Sequence, residues 1–175
     1  MILVVSFWLV GILLIVAQTT LVPYLPQWLG RPDFIFILVA FVAYRFAWIP
    51  GILLVFSLGW IVDVVAAIHL GVYPLICLLT FATLKTLTQK SPIKESTYQI
   101  PLVGVSYFAT QLVFYLLYTL FLPEILPEWS WGQTLQLTLL MVVATIPFFL
   151  LFNSLFESLR RRRPKAKVHR RQPVA

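Results

Sequence analysis

Few side chains in this sequence could take part in acid–base or ligand chemistry, and Asp63 is the most informative of them. It lies in an apolar run from residue 59 to residue 65. An ionisable group inside hydrocarbon is costly unless it finds water or a partner, so it usually faces the interior of a helix bundle. Two interpretations stay open. Asp63 either contacts a partner or substrate, or it is a buried hydrogen-bonding residue that locks helices together.

Three further residues fit the same end of such a bundle. Gly59 lies one helical turn before Asp63 on the same face and lets another backbone approach closely. Asp33 is expected to cap a helix by accepting hydrogen bonds from its first N–H groups. The amide of Gln18 can bond across helices, for about 1 kcal/mol. Because helices joined by short turns tend to be neighbours, we expect Gln18, Asp33 and Asp63 to converge near the outer leaflet.

Motifs of soluble enzymes are absent from the sequence. It contains no HExxH, GxSxG, Walker A or GxGxxG pattern. The two histidines, His69 and His169, have no partner at metal-ligand spacing. The single cysteine, Cys77, is expected to be a small buried packing residue. The sequence therefore predicts no catalytic residue, metal or cofactor.

The composition is that of an integral membrane protein. Of 175 residues, 61% are hydrophobic and 11% are charged, and the mean hydropathy is +0.94. Soluble domains are about 45–50% apolar and about 25% charged, so an ordinary soluble fold is excluded, as is a disordered chain. The apolar stretches are long and continuous, which favours helices over the alternating strands of a β-barrel.

The apolar stretches predict an all-α bundle of six transmembrane helices within residues 1–158, followed by a basic tail over residues 159–175. Pro50, Pro74 and Pro101 are placed in first turns, where the missing N–H would be unpaired in any case. The six helices are expected at about 2–22, 33–48, 50–68, 72–87, 101–122 and 133–156.

Basic residues predict the orientation of the bundle. With six crossings, 12 of the 13 Lys and Arg residues lie on the side of the termini and only Arg31 lies on the other. Lys and Arg accumulate in cytoplasmic loops, so both termini are expected in the cytoplasm. Eight basic residues fall within 160–171. This tail is expected to anchor the topology and to attract anionic lipids rather than nucleic acid.

The order and spacing of several weak motifs resemble the rod-shape-determining MreD family over roughly residues 10–90. Each motif alone is unspecific, and their succession carries the resemblance. The motifs are Gln18-Thr19, Arg31-Pro32-Asp33, Gly51, Gly59-x-x-x-Asp63 and Gly71.

The resemblance implies a non-enzymatic inner-membrane scaffold of the bacterial cell-elongation machinery. Its expected partner is an MreC-like protein, within a larger complex with MreB and the peptidoglycan synthase of RodA and its penicillin-binding protein. The fold is expected to resemble the membrane substrate-binding subunits of energy-coupling-factor transporters. A small-molecule-binding transporter subunit is therefore the alternative function. The candidate structural or partner-contact residues are Gln18, Arg31, Asp33, Gly59, Asp63 and Gly71.

Overall fold

The computed structural model describes residues 2–24, 32–66, 71–90, 96–121 and 130–161, and its regular elements in these ranges are helices. A short 3-10 turn, Val22–Tyr24, follows the first helix. The expected all-α architecture with six helices is confirmed. The helices are α1 (Ile2–Leu21), α2 (Phe34–Arg45), α3 (Trp48–Ala66), α4 (Val72–Lys90), α5 (Ser96–Phe121) and α6 (Trp131–Arg161).

Four of these helices, α1, α3, α4 and α6, are long and apolar enough to cross a membrane. The other two apolar helical segments are shorter, Phe34–Arg45 in α2 and Ile100–Leu116 in α5. At 12 residues, α2 is about 18 Å long, whereas the hydrocarbon core of a bilayer is about 30 Å thick. Helix α2 is therefore shorter than the hydrocarbon core of a bilayer.

Helix α2 occupies the centre of the bundle. The other five helices form a closed ring in the order α1, α3, α4, α5, α6, and α2 contacts every one of them. All nine residues from Ile35 to Ala43 are buried. A helix that is apolar on every face is stable only where protein or lipid covers it on all sides. Here the ring of helices provides that cover.

An aromatic cluster packs α2 against α1 and α6. The ring of Phe7 stacks on Phe41 with centroids 5.5 Å apart and meets the edge of Phe46 at 5.2 Å. Phe152 of α6 lies 5.4 Å from Phe41. Aromatic pairs in such offset and edge arrangements contribute about 0.5–1.5 kcal/mol beyond the area they bury. The cluster thus packs three helices together near the C-terminus of α2.

The close crossing of α3 and α4 depends on Gly59. A Cβ atom at this position would lie 2.8 Å from the Cα atom of Pro74, which is shorter than van der Waals contact. The expectation that another backbone approaches Gly59 is confirmed. Because the neighbour is backbone rather than a flexible side chain, a larger residue could be accommodated only by moving one of the helices.

The expected boundary between the second and third helices was wrong by several residues. Helix α2 ends at Arg45, and Trp48 begins α3 instead of ending α2. Phe46 has an extended backbone, with φ −96° and ψ 155°. A helix continuing through this point would need an N–H at residue 50 to bond the carbonyl of Phe46, and Pro50 has no N–H. The missing N–H of Pro50 therefore accounts for a helix break four residues before the proline.

Three other predicted ends also differ. Helix α4 continues to Lys90, and α5 begins at Ser96, so that Pro101 lies inside it rather than at its start. Helix α6 continues to Arg161, which makes the first residues assigned to the tail helical. An i,i+4 pair between Glu157 and Arg161, 3.9 Å apart, and the favourable position of cations at a helix C-terminus stabilise this extension. Residues 162–175 lie outside the described ranges.

The Gly59–Pro74 contact leads to a prediction for two identical substitutions. Gly59→Ala should lower the temperature of unfolding, because a clash with fixed backbone costs about 1–3 kcal/mol and exceeds the gain in helix propensity of about 1 kcal/mol. Gly132→Ala is the control, since nothing lies within 4 Å of a Cβ atom there. It should leave the unfolding temperature unchanged or raise it. Equal effects of both variants on thermal unfolding in detergent would contradict the packing assigned to Gly59.

Candidate functional site

The N-terminus of α2 is capped by Asp33. Its Oδ1 atom accepts hydrogen bonds from the backbone N–H groups of Ile35 at 3.1 Å and Phe36 at 3.3 Å. Its Oδ2 atom accepts a hydrogen bond from the Tyr73 hydroxyl of α4 at 2.6 Å. The predicted capping role is confirmed. One carboxylate thus begins the central helix and also fixes it to α4.

Gln18 of α1 completes the same cap. Its Oε1 atom accepts the backbone N–H of Phe34, the residue that follows Asp33, at 3.1 Å. The first four N–H groups of a helix have no partner inside it. At α2, side chains supply partners for the first three, those of Phe34, Ile35 and Phe36. The predicted meeting of Gln18 and Asp33 is therefore confirmed.

Asp63 forms a second contact at this end of the bundle. It is 5% exposed, and its Oδ2 atom accepts the backbone N–H of Gly71 at the start of α4. Gly71 has a positive φ of 104°, a conformation that glycine adopts at no steric cost. The two residues join the end of α3 to the start of α4. Asp63 is hydrogen-bonded, which is one of the states expected for a carboxyl group at this depth.

The predicted cluster of three residues is therefore two linked contacts. Within the described ranges, no hydrogen bond joins Asp63 to Gln18 or Asp33. The two carboxylates are connected through the start of α4, because Asp33 accepts from Tyr73 and Asp63 accepts from Gly71. Arg31 lies outside the described residues. The Asp33 end of the bundle, as we name this region, consists of Gln18, Asp33, Asp63, Gly71 and Tyr73.

Sequence reasoning missed the part played by Tyr73. A tyrosine near the end of a spanning helix is usually expected at the membrane surface. The hydroxyl of Tyr73 instead points inward to Asp33. Tyr73 lies in the first turn of α4, and Asp33 caps the neighbouring helix α2. This pairing can be predicted only when α2 and α4 are known to be adjacent.

A second set of polar contacts holds the opposite end of α2. The amine of Lys85 donates to the carbonyl of Phe46, the same carbonyl that Pro50 leaves without a helical partner. Lys85 lies inside α4, within the predicted fourth helix, and is 9% exposed. Arg45 donates from Nη2 to Oδ1 of Asn153 on α6 at 2.6 Å, a bond that joins α2 to α6.

A cavity of about 310 Å³ adjoins the Asp33 end between α1, α2 and α3. The aliphatic side chains of Ile15, Ile35 and Val62 line it, and the amide of Gln18 is its polar contribution beside Thr19. Its walls suit an apolar occupant with at most one polar group. Within the described ranges, no three His, Cys, Asp or Glu side chains are close enough together to hold a metal ion.

No family model, characterised protein or solved structure matches the chain. The chemistry of the site therefore has to be read from its own geometry. The carboxylates of Asp33 and Asp63 both accept hydrogen bonds from the protein, and each bond joins one helix to another or caps one. Together with the bond from Phe34 to Gln18 of α1, this arrangement links the ends of four helices.

The Asp33–Tyr73 bond leads to a prediction with a matched control. Tyr73→Phe should lower the free energy of unfolding by about 1–3 kcal/mol, because it leaves a carboxylate oxygen of Asp33 unpaired in a largely buried place. Tyr24→Phe removes the same hydroxyl from a side chain that is 86% exposed, so it should have no measurable effect. Chemical unfolding in mixed micelles measures both. If the two variants were equally stable, the hydroxyl of Tyr73 would have no role in holding α2.

Proposed function

We propose that the chain is a non-enzymatic membrane scaffold of the bacterial cell-elongation machinery, which binds an MreC-like membrane protein and supports peptidoglycan synthesis and cell-shape control. In this proposal the protein is a six-span bundle in the cytoplasmic membrane with both termini in the cytoplasm. MreB and the RodA–penicillin-binding-protein synthase are further members of the same complex. Nucleic acid is not a partner.

The proposal rests on the hydrogen bonds that the buried polar side chains make within the protein. Gln18, Asp33, Asp63 and Lys85 each bond a backbone group at a helix end. A site that binds a polar substrate needs several convergent polar groups left available to the ligand. A scaffold needs a bundle of fixed shape, and bonds between helix ends provide it.

The positions of the residues that resemble the MreD motifs also support the proposal. Gln18, Asp33, Asp63 and Gly71 all take part in contacts at the Asp33 end, and Gly59 carries the close crossing of α3 and α4. Residues spread over four stretches of sequence thus serve one structural purpose. This is the pattern expected if the motifs preserve a shape that a partner recognises.

Six crossings are compatible with the short second helix. Helix α2 is enclosed by the other five helices, so its Asp33 end need not reach the lipid surface. Backbone that is not helical is tolerated at membrane depth where it is buried in protein. The basic residues on the side of the termini support the cytoplasmic placement of both ends, and the basic tail supports contact with anionic lipids.

A small-molecule-binding transporter subunit is the second candidate, because of the cavity beside Gln18. Its predominantly apolar wall favours a hydrophobic ligand or a lipid chain over a polar vitamin. Purification in mild detergent separates the two functions. A stoichiometric MreC-like protein that remains bound supports the scaffold, whereas a stoichiometric small molecule with no protein partner supports the transporter.

Asp63 tests the link between bundle shape and partner binding. Asp63→Leu should lower the unfolding temperature and the amount of MreC-like partner retained, because the N–H of Gly71 loses its acceptor. Asp63→Asn keeps an acceptor oxygen and should be mild in both measurements. Val64→Leu, at a neighbouring side chain that is 54% exposed, is the control and should resemble the wild type.

The results distinguish the two functions further. If Asp63→Leu is as stable as the wild type and keeps its partner, Asp63 does not shape the binding surface. If Asp63→Asn abolishes cell-shape complementation while stability and partner binding are intact, a proton-linked or substrate role is favoured over the scaffold.

A further inference from the structure

We propose that Arg45 and Asn153 form a binding site for the phosphate of an anionic phospholipid, at the end of the bundle opposite Asp33. This site lies on helical residues of the protein and is distinct from the part of the basic tail that follows Arg161. It is independent of the proposed scaffold function, because it concerns the lipid rather than the protein partner.

The guanidinium group of Arg45 is held in a defined orientation. Nη2 donates to Oδ1 of Asn153 at 2.6 Å, and the Cζ atom lies 5.9 Å from the centroid of the Phe156 ring. A contact between an arginine and an aromatic face adds about 0.5–1 kcal/mol at exposed sites. A guanidinium has five N–H donors, so the bond to Asn153 leaves most of them directed elsewhere. The side chain is nevertheless exposed.

The charge of Arg45 is oriented without being neutralised. Asn153 is neutral, and among the described residues the one ion pair within 4 Å joins Arg161 to Glu157. Residues 153, 156 and 160 lie on one face of α6, because they are spaced by three and four positions. Arg160 therefore adds a second positive charge on the face that already carries Asn153 and Phe156. Two guanidinium groups on one side of a helix form an attractive surface for a phosphate.

The position of the site favours a lipid as the source of that phosphate. Arg45 is the last residue of α2, and Trp48 begins α3, which is long enough to cross a membrane. Tryptophan and arginine at the ends of spanning helices lie at the depth of the headgroups. Arginine recognises phosphate oxygens through two parallel N–H bonds. The phosphodiester of a lipid headgroup already lies at the depth of these donors, whereas a free phosphate ion would have to move there from bulk water.

Native mass spectrometry of the full chain in detergent tests the site. Phosphatidylglycerol and phosphatidylcholine are titrated separately, and the bound lipid is counted. We expect the wild type to retain phosphatidylglycerol in preference to phosphatidylcholine. Arg45→Gln should reduce that preference about fivefold, the effect of one charge near a membrane surface, while glutamine keeps a donor for Asn153.

Arg161→Gln is the matched control. It removes the same charge from the same end of the bundle, but its side chain is 85% exposed and is paired with Glu157. It should change the preference less than twofold. Asn153→Ala keeps the charge of Arg45 but removes the bond that orients it, so it should lower the preference even if Arg45→Gln does not fold.

Three results would overturn the proposal. The first is an equal loss in Arg45→Gln and Arg161→Gln, which would mean that only net charge matters. The second is equal retention of the two lipids by the wild type. The third is full displacement of phosphatidylglycerol by millimolar inorganic phosphate, which would identify the site as one for a soluble anion.

Discussion

The structure depends on a short apolar helix whose ends must be satisfied inside the protein. Helix α2 has 12 residues and is enclosed by five other helices, so its terminal N–H and C=O groups have little water available to them. An unpaired backbone group in such surroundings costs several kcal/mol. Asp33 and Gln18 meet this requirement at one end, and Lys85 meets it at the other. Each of these side chains, or its bonded partner, reaches across to another helix.

The charges also match the direction of α2. A carboxylate lies at its N-terminus, where the helix dipole is positive, and two cationic side chains, Arg45 and Lys85, lie at its C-terminus, where the dipole is negative. The bonds that cap α2 therefore fix α1 and α4 beside it, and the bond from Arg45 to Asn153 fixes α6. A bundle fixed in this way presents a constant outer surface, which is the property that a scaffold for other membrane proteins requires.

The sequence was informative wherever a signal is local. The cap of Asp33, the close approach at Gly59 and the interhelical bond of Gln18 could be predicted, because each depends on residue type and on position in a helix. The central position of α2 could not be. From sequence alone, a short apolar helix is predicted to be one more membrane span. Only the packing of all six helices shows that α2 is covered by protein.

The missed contacts were of a different kind. The contacts of Tyr73 and Lys85 were not predicted, because an amphipathic side chain near a helix end usually extends to water. In this protein both extend inward, since a polar group of α2 lies within their reach. Pro50 marked the carbonyl that Lys85 bonds, but nothing local indicates which lysine would reach it. Contacts between distant segments of the chain become predictable only after the topology is known.

Hydrogen–deuterium exchange of the detergent-solubilised protein tests the central claim most directly. If α2 is enclosed and bonded at both ends, the amides from Ile37 to Val42 should exchange more slowly than those at the middle of any other helix. Replacing Gln18 with Leu and Tyr73 with Phe together should accelerate exchange first at the start of α2. Exchange in α2 as fast as in α5 or α6, or an unchanged rate at its first turn in the double variant, would contradict the account.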